Sequence, residues 1–176
     1  MKILVVNPFG ATEPNAKENL EKVARSDVEL DVVNISDVFP LDYNTYQYNV
    51  LKCVNATVER IIRAEKEGWD AVVISCMADP GLIPARSVVD IPVTATFEAS
   101  THFASMMGQR FSIIAPDPVA AALEYPLADL YGVRQKLASI RDIGIVANKL
   151  YPEITPPEEL RRRTIKVGKK CVEEDR

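Results

Sequence analysis

The stretch "VVISCMADPGL", Val72 to Leu82, holds a thiol in a setting suited to chemistry. An apolar β-branched run ends at Cys76, and an acid, a proline and a glycine turn the chain straight afterwards. A thiolate there could attack a carbonyl, as in acyl transfer, or remove a proton from carbon beside a carbonyl. Nucleophilic cysteine enzymes usually add a base, and the single histidine, His102, falls on the helix expected after Glu98, where a structural role is the simpler reading. Proton abstraction needs no histidine. The plain alternative is that Cys76 is a small buried hydrophobe.

Position argues for chemistry. In an open parallel sheet, ligands bind outside the carboxyl ends of the strands, and Cys76 takes that place on the third strand expected here. Pro84 must fall in the first turn of any following helix, so that helix begins near Gly81 to Ile83 and turns its amides toward the same edge. Such amides favour a thiolate. Gly81 permits a tight backbone approach, and Asp79 can bond the turn amides. Asn7 and Pro8 end the first strand at that edge, and Glu98 follows the fourth. Taken singly, Asn7 and Glu98 read as well as a turn former or a helix cap. Their convergence with a thiol makes them site candidates.

The elements that must position these groups form a βαβ pattern. "KILVVN" reads as a strand, Glu13–Arg25 as a helix, and the run from Val28 as a second strand. Val50, Val54, Val58, Ile61 and Ile62 recur at helical spacing, predicting a helix from about Thr45 to Glu67 with Asn44 as N-cap and Gly68 as its stop. "AVVIS" and "IPVTA" are the third and fourth strands. Short apolar strands between helices imply right-handed crossovers and a parallel sheet covered on both faces.

The pattern then restarts. It gives a helix over Glu98–Met107 ended by Gly108, a strand "FSIIA", a helical or irregular crossover "PVAAALEYPLADLYG", and a strand around Leu137–Ile140. A closing helix follows, with Thr155 as N-cap, Pro156 at the first position and Glu158 completing a capping box. The fold class is α/β with two parallel-sheet lobes, residues 1–95 and 96–176. The second lobe ends on a helix with no strand after it to bury the apolar face, and so reads as incomplete at its C-terminus.

Composition narrows the function classes. The 176 residues are 47% hydrophobic and 26% charged, enough for one α/β domain or two small lobes with real cores. A net charge of −4 gives no electrostatic footprint for nucleic acid or an anionic membrane. The basic run Arg161–Arg163 reads as a solvated helix face. Ile3–Val6 is too short for a signal-peptide core and no segment is long enough to span a bilayer, so the expected location is the cytoplasm. Cys53, Cys76 and Cys171 lack the spacing of a zinc or C-x-x-C site and are expected as free thiols. Cys53 and Cys171 fall on apolar helix faces and read as core. One histidine rules out a multi-histidine metal site.

Three stretches carry a family resemblance: "MKILVVNP", "GWDAVVISCMADPGLIPARSVVDIPV" and "FEASTHFASMMGQRFSII". In order, and over nearly the whole chain, they resemble the aspartate/glutamate racemase superfamily, most closely its hydantoin racemase branch. The resemblance implies two pseudo-symmetric lobes around an interlobe cleft, each lobe giving one cysteine to flank the substrate α-carbon. One thiolate would take the proton and the other thiol would return it to the opposite face. The activity implied is that of a cofactor-independent racemase or epimerase of hydantoins or acidic amino acids, with no metal.

By the same resemblance Cys76 is the first-lobe acid/base, and Asn7 donates to the substrate carbonyl or carboxylate. The backbone of Met77, Asp79, Pro80 and Gly81 joins an anion cradle, and Glu98 shapes the site. Two departures stand out. The branch usually has Asn-Pro-Asn followed by Thr or Ser, whereas this chain reads Asn7-Pro8-Phe9-Gly10-Ala11-Thr12, placing aromatic Phe9 where the pocket would have a polar group. In the family the final helix leads into a strand ending Gly-Cys; here the chain stops at "CVEEDR", and Cys171 is not that second cysteine. The expected partner is a small molecule with a carbonyl or carboxylate, with neither nucleic acid nor membrane. Two other readings stay open, a one-cysteine decarboxylase or isomerase of the superfamily and a non-catalytic small-acid binding module. Completion of the second lobe by a partner chain, in a homo-oligomer, is open as well.

Overall fold

The computed structural model describes residues 1–9, 16–35, 47–150 and 154–175. Packing divides the chain into two compact units, Met1–Phe97 and Glu98–Arg176. The first unit runs β1 (Lys2–Asn7), α1 (Ala16–Glu21), β2 (Glu29–Asn34), α2 (Gln47–Lys66), β3 (Ala71–Ile74), α3 (Leu82–Arg86) and β4 (Val93–Ala95). Its four strands are all parallel, in the order β2-β1-β3-β4. Leu4, Val5 and Val6 of β1 are buried in succession. A strand covered on one face alone would alternate, so continuous burial marks a central strand with both faces covered.

Helix α2 buries Cys53, Thr57, Ile61 and Ala64, a stripe at helical spacing, and contacts β1, β3 and α3. Its C-terminus closes as the sequence implies. Gly68 takes φ +81°, the Gly68 N–H donates to Glu65 O (3.0 Å), and the Trp69 N–H reaches Ala64 O (3.1 Å). The start expected at Asn44 and Thr45 lies outside the described residues. Helix α1 is shorter than expected and ends at Glu21, with no buried residue. Beyond it Val23 is 82% exposed, so no apolar face sustains further turns.

The second unit holds most of α4 (Thr96–Met107), then β5 (Phe111–Ala115), α5 (Pro118–Leu130), β6 (Leu137–Asp142), a 3-10 turn at Ala147–Lys149, and α6 (Pro157–Glu174). Strands β5 and β6 pair in parallel as a second, smaller sheet. The ambiguous crossover is a helix because Asp117 caps it, its carboxylate accepting from the Val119 and Ala120 N–H groups at 2.9 Å. Pro126 is tolerated inside α5 because the carbonyl it orphans belongs to Ala122, an exposed residue that water can serve.

Helix α6 starts one residue later than expected. Pro156, not Thr155, is the N-cap and Pro157 occupies the first position, so Glu158 does not complete a capping box. A residue before proline is excluded from helical backbone, and Pro156 accordingly stays extended at ψ 137°. Glu159 instead pairs with Arg162 and Arg163. The far end of α6 is tied down by Asp175, which accepts from Ser112, Ser139 and Arg141.

Candidate active site

Parallel register sets Asn7, Ile74 and Ala95 at one edge of the first sheet. Val6 pairs with Ile74 and Ile74 with Ala95, while the Ser75 N–H donates to Val6 O at 2.8 Å. With the order β2-β1-β3-β4, the chain leaves β1 toward one side of the sheet and reaches β3 on the other. The loops after β1 and β3 therefore diverge at a topological switch point, where an open α/β sheet has its ligand crevice. The chain leaves β1 at Asn7 and β3 at Ile74, so the segments Asn7 to Phe9 and Cys76 to Gly81 follow the two strands that flank that point.

Cys76 is half-buried, and its Sγ accepts a hydrogen bond from the Ala78 N–H at 3.4 Å. Two overlapping turns hold the loop: the Asp79 N–H donates to Cys76 O (3.1 Å) and the Leu82 N–H to Asp79 O (3.2 Å). Both Asp79 (φ +44°) and Gly81 (φ +86°) sit in the left-handed region. Gly81 is required on a second count, since a Cβ there would lie 3.3 Å from Val54 O and 3.3 Å from Val58 Cγ2 of α2. The helix expected after the thiol is present and starts where Pro84 dictates, but it is five residues long. The amide of Ala78, in the loop ahead of α3, donates to the sulfur.

The remaining candidates separate by burial. Asn7 is half-buried, and its Oδ1 accepts from the Phe9 N–H at 3.4 Å, a local turn that bends the chain off β1. Pro8 and Phe9 are buried, so the aromatic ring expected at the pocket packs into the core of the first unit. Met77 is half-buried; Pro80 is buried. Asp79 is only 5% exposed, and its Oδ1 accepts from the Phe97 N–H at 2.8 Å rather than serving the turn amides alone. Glu98 is half-buried in the first turn of α4 and is the first residue of the second unit. His102, four residues on, is exposed.

Sequence reasoning missed two contacts here. Thr96 Oγ1 donates to Ile74 O at 3.0 Å, fastening the start of α4 to the end of β3, and Asp79 fastens it to the thiol loop. No local signal announces either, because the partners are 22 and 18 residues apart.

The other two thiols have different surroundings. Burial pushes the Cys53 thiol up to about 12. Burial, and then the charge of Asp175, raise that of Cys171. Among the described residues no group of three or more His, Cys, Asp or Glu side chains could hold a metal ion. Nor is any described helix long and apolar enough to cross a membrane. Hollows of about 370 and 350 Å³ open along α6 in the second unit and do not include Cys76.

The Asp/Glu/Hydantoin racemase family description matches residues 3–176. The chain belongs to this family. Membership makes it an isomerase of racemase type. A hydantoin racemase of Pseudomonas sp. (strain NS671) is 35% identical over 179 residues, covering 99% of this chain and 69% of the relative. An allantoin racemase structure from Klebsiella pneumoniae superposes with a TM-score of 0.83 at 24% identity, covering 99% of this chain and 70% of that one. An arylmalonate decarboxylase variant in liganded form reaches a TM-score of 0.66 at 12% identity, over 96% of this chain and 72% of that chain. The last two are likenesses of fold. Both racemases are longer than this chain.

Proposed function

We propose that this family member acts on the hydantoin ring, with Cys76 as the acid/base on one face of the α-carbon. Allantoin itself carries a hydantoin ring, so the names of the two racemases above point to one substrate class. The observation that carries the reading is a half-buried thiol at the switch point of a parallel sheet, its sulfur held by a loop amide. The Cys76 thiolate takes the proton from the ring carbon beside the carbonyl. The C–H bond breaks, an S–H bond forms, and the electron pair moves into the carbonyl as an enolate. Backbone N–H groups of Met77 and Gly81 and the Asn7 amide are the donors suited to hold the enolate oxygen.

Inversion needs an acid on the opposite face. Cys53, buried with its thiol pushed up to about 12, does not meet that need, and Cys171 is engaged against Asp175 on α6. Cys76 serves one face of the carbon. Polarimetry of an optically pure 5-substituted hydantoin tests the reading. Cys76→Ser should slow any racemisation by roughly 100-fold or more, the scale of a lost acid/base.

A second reading rests on the same single thiol. Protonation of an enolate from one face only is the chemistry of a stereospecific decarboxylase or isomerase. Turnover of an arylmalonate to one enantiomeric acid, with hydantoins untouched, would favour it.

A further inference from the structure

We infer that Asp79 is a positioning residue, holding the Cys76 loop in its working shape by bonding the first turn of α4. The inference rests on the reading of Cys76 as the acid/base. Asp79 is 5% exposed, and burying an acid is costly unless it is hydrogen-bonded. Its Oδ1 meets the Phe97 N–H at 2.8 Å. That amide stands at the second position of α4, one of the amides a helix leaves without an internal partner. Asp79 thus caps α4 from 18 residues away, where a local cap would do the same without touching the thiol loop.

The backbone agrees. Asp79 is the non-glycine residue with positive φ among those described, at +44°, a conformation that is unfavourable for most side chains and better tolerated by Asp and Asn. The same residue donates its N–H to Cys76 O and accepts the Leu82 N–H, so its position fixes both ends of the turn. Phe97, whose amide it holds, is the largest fully buried side chain, and Thr96 is bonded to Ile74 O. Moving Asp79 off this anchor swings the turn that presents the Ala78 N–H to the sulfur.

Two variants separate the carboxylate from the backbone. Asp79→Gly keeps the left-handed conformation and removes the acceptor; Asp79→Asn keeps both. The readout is the pH midpoint of Cys76 alkylation by iodoacetamide, followed by peptide mass, with thermal unfolding recorded in parallel. Asp79→Gly should raise the midpoint by about one pH unit, a tenfold loss of thiolate at neutral pH that matches one charge-assisted hydrogen bond. Asp79→Asn should leave it where the wild-type has it. An unmoved midpoint in folded Asp79→Gly, or a shift in Asp79→Asn equal to that in Asp79→Gly, overturns the inference. Should Asp79→Gly yield no folded protein, Asp79→Asn decides alone, since any upward shift with the oxygen retained contradicts the brace. Alkylation needs no turnover, so this result stands apart from whether hydantoin is the substrate.

Discussion

Three cysteines of one chemical type sit in three environments, and that difference sorts their roles. Cys53 faces the core from α2 and stays protonated through the physiological range, because burial disfavours its charged form. Burial, and then the negative charge of Asp175, push the Cys171 thiol up. Cys76 is half-buried, with an N–H on its sulfur. Iodoacetamide at neutral pH should therefore label Cys76 first and reach Cys53 only on unfolding, which peptide mass mapping will read directly. Equal labelling of Cys53 in the folded protein would contradict this picture. The place of Asn7 at the end of β1 and of Cys76 just past the end of β3 was legible in the sequence, because strand-end position is a local property. The partner of Asp79 was not, since an acid before Pro-Gly looks like a local turn former, and Phe9 beside Asn7-Pro8 gives no sign that it turns inward.

At the scale of elements, the strands were legible from short apolar runs and the stop of α2 from Gly68. The start of α6 slipped by one residue because two prolines compete for the first helical position, and only backbone geometry decides between them. Gly81 links an element to the site. Gly81→Ala should destabilise the first unit by roughly 1–3 kcal/mol, from left-handed strain and from crowding of α2, as measured by urea unfolding. Helix α5 carries a separate test. Glu124 faces inward between Ala121 and Ala128, 4% exposed, with no hydrogen-bond partner for its Oε2 among the described residues.

Burial raises the Glu124 carboxyl from its ordinary 4.5 to about 7. The fold thus favours the neutral acid. Stability from this preference is full below the unfolded value and is lost as pH rises through about 7. Unfolding free energy should fall by on the order of 3 kcal/mol across that window, and Glu124→Gln should flatten the dependence. A wild-type profile as flat as that of Glu124→Gln would show that the carboxyl is ionised in place.

On the scale of the whole molecule, the four-stranded order β2-β1-β3-β4 carries the proposed site, and the second sheet has two strands among the described residues. The α/β class followed from alternating strands and helices, whereas sheet order did not, because it depends on which crossovers return across β1. Family membership rests on nearly the full chain, from residue 3 to residue 176. The central claim is that Cys76 moves the α-proton on one face of the ring. The direct measurement is deuterium uptake, by proton NMR, into each enantiomer of a 5-substituted hydantoin in heavy water at neutral pH. The account predicts that the enantiomer whose α-proton faces Cys76 exchanges well above the uncatalysed rate, and that Cys76→Ser brings that exchange down to background. Exchange that persists unchanged in Cys76→Ser would contradict it.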